Sequence, residues 1–305
     1  MSNAEHAAVS TQNHPTPAAP DSAGTLQRPA RALIGWMDDD KARLILASMR
    51  ADVVIEQAQL DQLTAARDAV ASRSDGVDQS TALADAPPEL AGHIGLLTAQ
   101  GAGGEVARQG WEVKVVDLTQ ICAFQPNVFV DTTAERVRGI GPDDWEAIAQ
   151  VTIPVGGQTS LRPQFDELRN TWIIASPNPN LKIVGRFGGQ VPGNPVQPPV
   201  FGFFVTIAQS FVQVARFRDR LFLRDGYHRA LAFLNVGITR VPAFVGTVAA
   251  IEQLAPAGML PQDAYLGLRP PRLMDYLDDA VSAVVSLPAA QKLVVVQALE
   301  LNPIG

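Results

Sequence analysis

Residues 221–245 read Leu-Phe-Leu-Arg-Asp-Gly-Tyr-His-Arg-Ala-Leu-Ala-Phe-Leu-Asn-Val-Gly-Ile-Thr-Arg-Val-Pro-Ala-Phe-Val, and no other stretch dictates so much of the geometry. The apolar run 221–223 has the length of a buried strand end, and Arg224-Asp225-Gly226 is a tight polar turn. A helix is expected from Tyr227 or His228 to Gly237, handing over to a second strand at 241–245. A strand–glycine–helix junction leaves first-turn N–H groups without intrahelical partners and turns the positive end of the helix dipole toward the loop, which suits an anion. His228 and Arg229 add two charge-assisted donors in the same first turn.

Charge sharpens this reading. The 305 residues carry a net charge of −7, which disfavours long duplex nucleic acid as a partner. Yet Arg216, Arg218, Arg220, Arg224 and Arg229 crowd into one short stretch against only Asp219 and Asp225. A small anionic ligand fits that contrast better than a polymer. With 47% hydrophobic residues the chain can bury a full core. The single cysteine, Cys122, excludes an internal disulfide framework and a cysteine-based zinc cluster. His6, His14 and His93 have no partners at metal-ligand spacing, so no structural metal is expected. With no secretory-type leader pattern and no run of the ~18–20 apolar residues needed to span a bilayer, a cytoplasmic location without membrane contact is expected.

Along the chain, residues 1–29 are rich in Ala, Pro, Ser and Thr and read as a disordered tail. Residues 30–104 read as a helical extension and linker. One helix follows Asp38-Asp39-Asp40, a second covers 56–72, and Gly101–Gly104 closes the segment as a linker. These helices are candidate docking elements for protein partners. The main domain, 105–305, opens with a strand at 113–116 and a short helix capped by Asp117 with Gln120. Hairpins are expected for 171–175 with 181–186 and for 211–217 with 220–223, with a loop at 185–202 and a helix near 273–285. Hairpins mixed with single helices predict an α+β fold: a small mixed or antiparallel sheet with flanking helices.

The Asp225-Gly226-Tyr227-His228-Arg229-Ala230 junction, with its strands, resembles the signature of the ParB/sulfiredoxin-like superfamily. Segment 113–127, ending in Gln125-Pro126-Asn127, is similar to that family's first conserved box. Together the matches cover about a fifth of the chain. Some 97 residues separate Pro126 from Leu223, which implies an insertion at about 139–199. The resemblance implies a nucleotide ligand, ATP, ADP or CTP with or without Mg²⁺, its phosphates held at the glycine–helix junction. Sulfiredoxins carry a nucleophilic Cys where this chain has Tyr227, which argues against sulfinic-acid reduction. Partition proteins continue into a helix-turn-helix, and no reader helix stands out in the last 60 residues.

The binding residues expected from this are Arg224, Gly226, Tyr227, His228 and Arg229. Asp225 would orient His228 or meet a phosphate-bound Mg²⁺, and Asp117 would serve as general base for phosphoryl transfer. Each has a plainer alternative: a solvated first turn for His228 and Arg229, an Asp-Gly turn for Asp225, a strand-end charge for Arg224, packing for Tyr227, a helix cap for Asp117. The function expected is nucleotide or phosphate-ligand binding, as an ATP/ADP- or CTP-dependent phosphotransferase or NTPase. The alternatives are a non-catalytic assembly module with a degenerate pocket and a partition-like DNA-binding protein.

Overall fold

The computed structural model describes residues 26–297, apart from 51, 75, 132–133, 157–160, 177, 179, 190–199, 255–257 and 290. The chain runs β1 (Gln27–Ala32), α1 (Asp39–Leu46), α2 (Gln57–Ala71), β2 (Leu83–Asp85), α3 (Ala91–Ala99), α4 (Gly101–Arg108), β3 (Glu112–Asp117), β4 (Asn127–Phe129) and α5 (Trp145–Thr152). It continues through β5 (Gln164–Asp166), β6 (Thr171–Ser176), β7 (Leu181–Gly189), β8 (Val200–Ile207), β9 (Gln213–Phe217), β10 (Arg220–Asp225), α6 (Tyr227–Asn235) and β11 (Arg240–Thr247). Two short helices follow, then β12 (Ala283–Pro288) and β13 (Lys292–Gln297).

The fold is α+β with small mixed sheets, as the pattern of hairpins and single helices predicts. Its centre is a five-stranded sheet in the order β10-β9-β11-β3-β2, with β11 parallel to β9 and the other pairs antiparallel. In β10, Leu221, Phe222 and Leu223 are all buried, because the segment at Cys122 bridges to Phe222 and closes that side. Helix α6 buries seven of its nine residues, Tyr227 and Arg229–Leu234, so it is a core helix rather than a surface one.

Several expectations are corrected. Residues 1–25 lie outside the described residues, but Gln27–Pro29 are not tail. They belong to β1, the middle strand of a sheet β12-β1-β4. Nor is 30–104 an appended helical unit. Strand β2 pairs with β3, and Leu63 and Ala66 of α2 share one core with Leu221 and Phe233. The glycine cluster at 101–104 begins α4 instead of a linker. The expected insertion at 139–199 starts with core structure, since Ile148, Ala149 and Ile153 are fully buried.

Strand β6 pairs with β5 and β13, not with β7, and β7 pairs with β8, so residues 185–189 and 200–202 of the expected loop are strand, while its centre, 190–199, lies outside the described residues. The helix expected near 273–285 is a short 3-10 turn, Leu273–Leu277, followed by β12, whose alternating burial is that of a strand. Helices α1 and α2 form as expected. Asp38 caps α1 by accepting the Lys41 N–H at 2.8 Å, and Glu56 with Gln59 forms a capping box on α2.

Candidate functional site

The β10–α6 junction forms as the sequence requires. Gly226 sits at the N-cap with φ +99°, a left-handed conformation, and α6 begins with the Ala230 N–H donating to the Gly226 carbonyl at 2.9 Å. Glycine at the N-cap brings no side chain of its own to the first turn. The first-box segment lies against it. The Phe124 N–H donates to the Tyr227 hydroxyl at 3.1 Å, and the Phe129 ring of β4 stacks on His228 with the planes 5° apart.

His228 and Arg229, expected to converge on one anion, are instead directed to different neighbours. Successive helical residues project about 100° apart. His228 faces Phe129, with the Asp131 carboxylate and the Arg28 guanidinium nearby. Arg28 is itself paired to Asp131 at 2.6 Å and lies 4.7 Å over Phe129. Burial, reinforced by Arg28 and Arg229, pushes the His228 imidazole down to about 4, so it is neutral at neutral pH.

Arg229 is 8% exposed and turns inward. Its Nη1 donates to the Ser210 carbonyl at 2.9 Å and the Thr152 carbonyl at 3.4 Å, and its Nη2 to the Ser210 hydroxyl at 3.3 Å. Thr152 is the last residue of α5, so the guanidinium closes the negative end of that helix, where carbonyls lack intrahelical partners. Asp225 lies 3.9 Å from Arg229; burial raises its carboxyl above the ordinary range against the pull of that guanidinium.

The remaining candidates sit elsewhere. Tyr227 is 4% exposed and packs edge-on to Phe124 and Tyr276, so its ring is a core residue with no face for a base. Arg224 is exposed, bonded to Gln213 at 3.1 Å and laid 5.4 Å over Trp111. Asp117 caps the 3-10 turn Leu118–Gln120, accepting the Thr119 N–H at 3.0 Å, which is the plainer of its two roles. Register places Asp225 level with Gln213 and Phe244, whereas Asp117 is level with Arg240, three strands across and four residues along. At ~4.8 Å per strand and ~3.3 Å per residue, the two carboxylates are on the order of 20 Å apart. They do not share a site.

Sequence reasoning also missed Arg28 and Arg136 as neighbours of this corner. Arg136 is exposed and close enough to lower the Arg229 guanidinium. Away from the junction, Arg73, Ser74, Arg269 and Arg272 line a cleft of about 170 Å³. There Arg73 is taken by Asp275 at 2.9 Å and Asp278 at 3.2 Å. Among the described residues no group of three or more His, Cys, Asp or Glu is placed to hold a metal ion, and no helix is long and apolar enough to cross a membrane.

The displaced imidazole makes one expectation measurable. Its folded pKa lies below the ordinary 6.5, so the unfolded chain binds the proton more readily, and stability falls as pH drops from 6.5 toward 4. The loss from this group amounts to about 2 kcal/mol between about pH 8 and pH 5. Urea unfolding of His228→Gln should lack that part of the slope; equal slopes in both proteins would show that His228 protonates as freely when folded.

No family model, no curated protein and no solved structure matches this chain.

Proposed function

We propose that this chain is a non-catalytic interaction module of ParB/sulfiredoxin-like type, in which the corner that would hold a nucleotide has been absorbed into internal packing. One observation carries the reading: the Arg229 guanidinium is buried on the carbonyls of Ser210 and Thr152. A cation so placed neutralises the end of α5 and is not presented to a phosphate. The neutral imidazole of His228, the core position of Tyr227 and the remoteness of Asp117 support the same reading. The resemblance itself is supported by placement. The segment 122–129 runs beside β10 and the start of α6, so the two motif regions are neighbours.

Isothermal titration with ATP, ADP and CTP, each with Mg²⁺, together with a phosphate-release assay, tests the proposal. The expected result is no binding tighter than millimolar and no turnover. A second reading, phosphate-ligand binding, is favoured by the first turn of α6, which starts on a glycine N-cap, with Arg136 exposed nearby. Micromolar nucleotide binding weakened tenfold or more by Arg136→Ala would establish that reading and overturn the first.

A further inference from the structure

The β7–β8 hairpin stands outside the main core, whose buried residues pass from Ile153 directly to Phe211. Among its described residues only Leu181, at the end where the two strands leave the rest of the chain, is buried. Residues opposite one another in the ladder share a face, as do residues two apart along a strand. One face therefore holds Phe201 and Phe203, with ring centroids 5.1 Å apart, and Arg186 across from Phe203. The other holds Phe187 and Phe204, 5.3 Å apart, and Lys182. All four rings are between 42% and 62% exposed. The second pair is seated by a glycine: a Cβ on Gly202 would come within 2.4 Å of the Phe187 ring, so only glycine lets that ring lie across β8.

The hairpin is thus apolar and aromatic on both sides, with one cation on each. From Leu181 to Ile207 the sequence contains no Asp or Glu. A globular surface or a second copy laid on one face would leave the other ring pair in water. A fluid apolar medium reaches both faces at once. The charges specify its boundary: a long cationic side chain on each face can lie along the apolar surface and place its head among anionic headgroups, and no carboxylate opposes them. Two cations in a chain of net charge −7 do not make the basic groove that a nucleic-acid strand needs.

We infer that the β7–β8 hairpin inserts into the interface of an anionic lipid bilayer. The depth is limited by the backbone. A two-stranded ribbon has open edges, whose unpaired N–H and C=O groups are costly in hydrocarbon, so the hairpin enters the headgroup–acyl boundary, about 5–10 Å deep, and does not span. The expectation of no membrane contact rested on the lack of a leader and of a long apolar run, and neither bears on a ribbon with strands of nine and eight residues. The inference does not depend on the reading of the α6 junction.

Flotation of the full chain with phosphatidylcholine vesicles, with and without about one third phosphatidylserine, tests it. Binding is expected to be roughly tenfold tighter with phosphatidylserine, and that preference should vanish at about 0.5 M salt and in Lys182→Gln/Arg186→Gln. These wild-type comparisons need no folded variant. Phe201→Ser/Phe203→Ser and Phe187→Ser/Phe204→Ser, one pair for each face, should each weaken binding by roughly tenfold or more with circular dichroism unchanged. No flotation with either lipid, or equal binding to both, overturns the inference. So does a loss confined to one of the two pairs, which marks a one-sided partner, or a lipid-indifferent chain that sediments at twice its 32.5 kDa mass, which makes the cover a second copy.

Discussion

Arg229→Ala is expected to destabilise this protein by about 3–5 kcal/mol, a large part of the roughly 5–15 kcal/mol that holds a domain folded. The substitution takes the guanidinium donors from the Ser210 carbonyl and hydroxyl, leaves the Thr152 carbonyl to the Val212 N–H, and removes the cation beside Asp225. The Ser210 carbonyl left without that donor costs about 1–3 kcal/mol, and the lost packing of the Arg229 stem and the partly desolvated carboxylate add to that. Arg229→Lys should recover less than half, because an ammonium is a single point charge that cannot span both carbonyls and the Ser210 hydroxyl as the planar fork does. Urea unfolding of the three proteins measures this. If alanine cost under about 0.5 kcal/mol, as at an exposed surface position, Arg229 would not be a structural clasp.

Gly226→Ala comes next, at about 3 kcal/mol. Two penalties combine. A left-handed backbone at φ +99° disfavours any Cβ, by about 1–2 kcal/mol. The new methyl would also meet Val212 Cγ2 at 2.9 Å and Val212 Cα at 3.0 Å. Val212 cannot retreat easily, since its N–H is bonded to the Thr152 carbonyl at 2.7 Å and its own carbonyl accepts the Phe244 N–H at 3.0 Å. Gly237 at the other end of α6 is the internal control. Its φ is +79° but nothing lies within 4 Å of an added Cβ, so Gly237→Ala should show the strain alone, about 1–2 kcal/mol. Equal losses in thermal or urea unfolding at both positions would mean that the approach of Val212 costs nothing.

The β10–α6–β11 unit was legible because its signals are local. Gly226 and Gly237 mark both ends of α6, and the apolar runs on either side can only be buried strands. What the corner does was not legible, because its determinants are distant in sequence. The carbonyls that claim Arg229 belong to Ser210 and Thr152, 19 and 77 residues away, and carbonyls have no sequence signature. Strand β1 was hidden for a similar reason. Gln-Arg-Pro-Ala-Arg-Ala looks like tail, and only pairing with β12, more than 250 residues later, makes it a strand. At 101–104 tertiary packing overrides propensity: a Cβ on Gly103 would strike the Leu97 carbonyl at 2.4 Å, so glycine there permits the close turn from α3 into α4. At 273–285 an apparent helical period gave way because the Asp278–Val281 turn directs the chain into pairing with β1.

Amide hydrogen exchange across α5, residues 210–212 and the first turn of α6 probes the central assignment most directly, in wild type and Arg229→Ala, each with and without MgATP or MgCTP. The clasp predicts that alanine at 229 speeds exchange in α5 and at Val212 while β9–β11 stay protected, and that nucleotide changes nothing. Unaltered protection of α5 in the variant, with nucleotide-induced protection at 226–229 in the wild type, would contradict it and return the junction to a ligand.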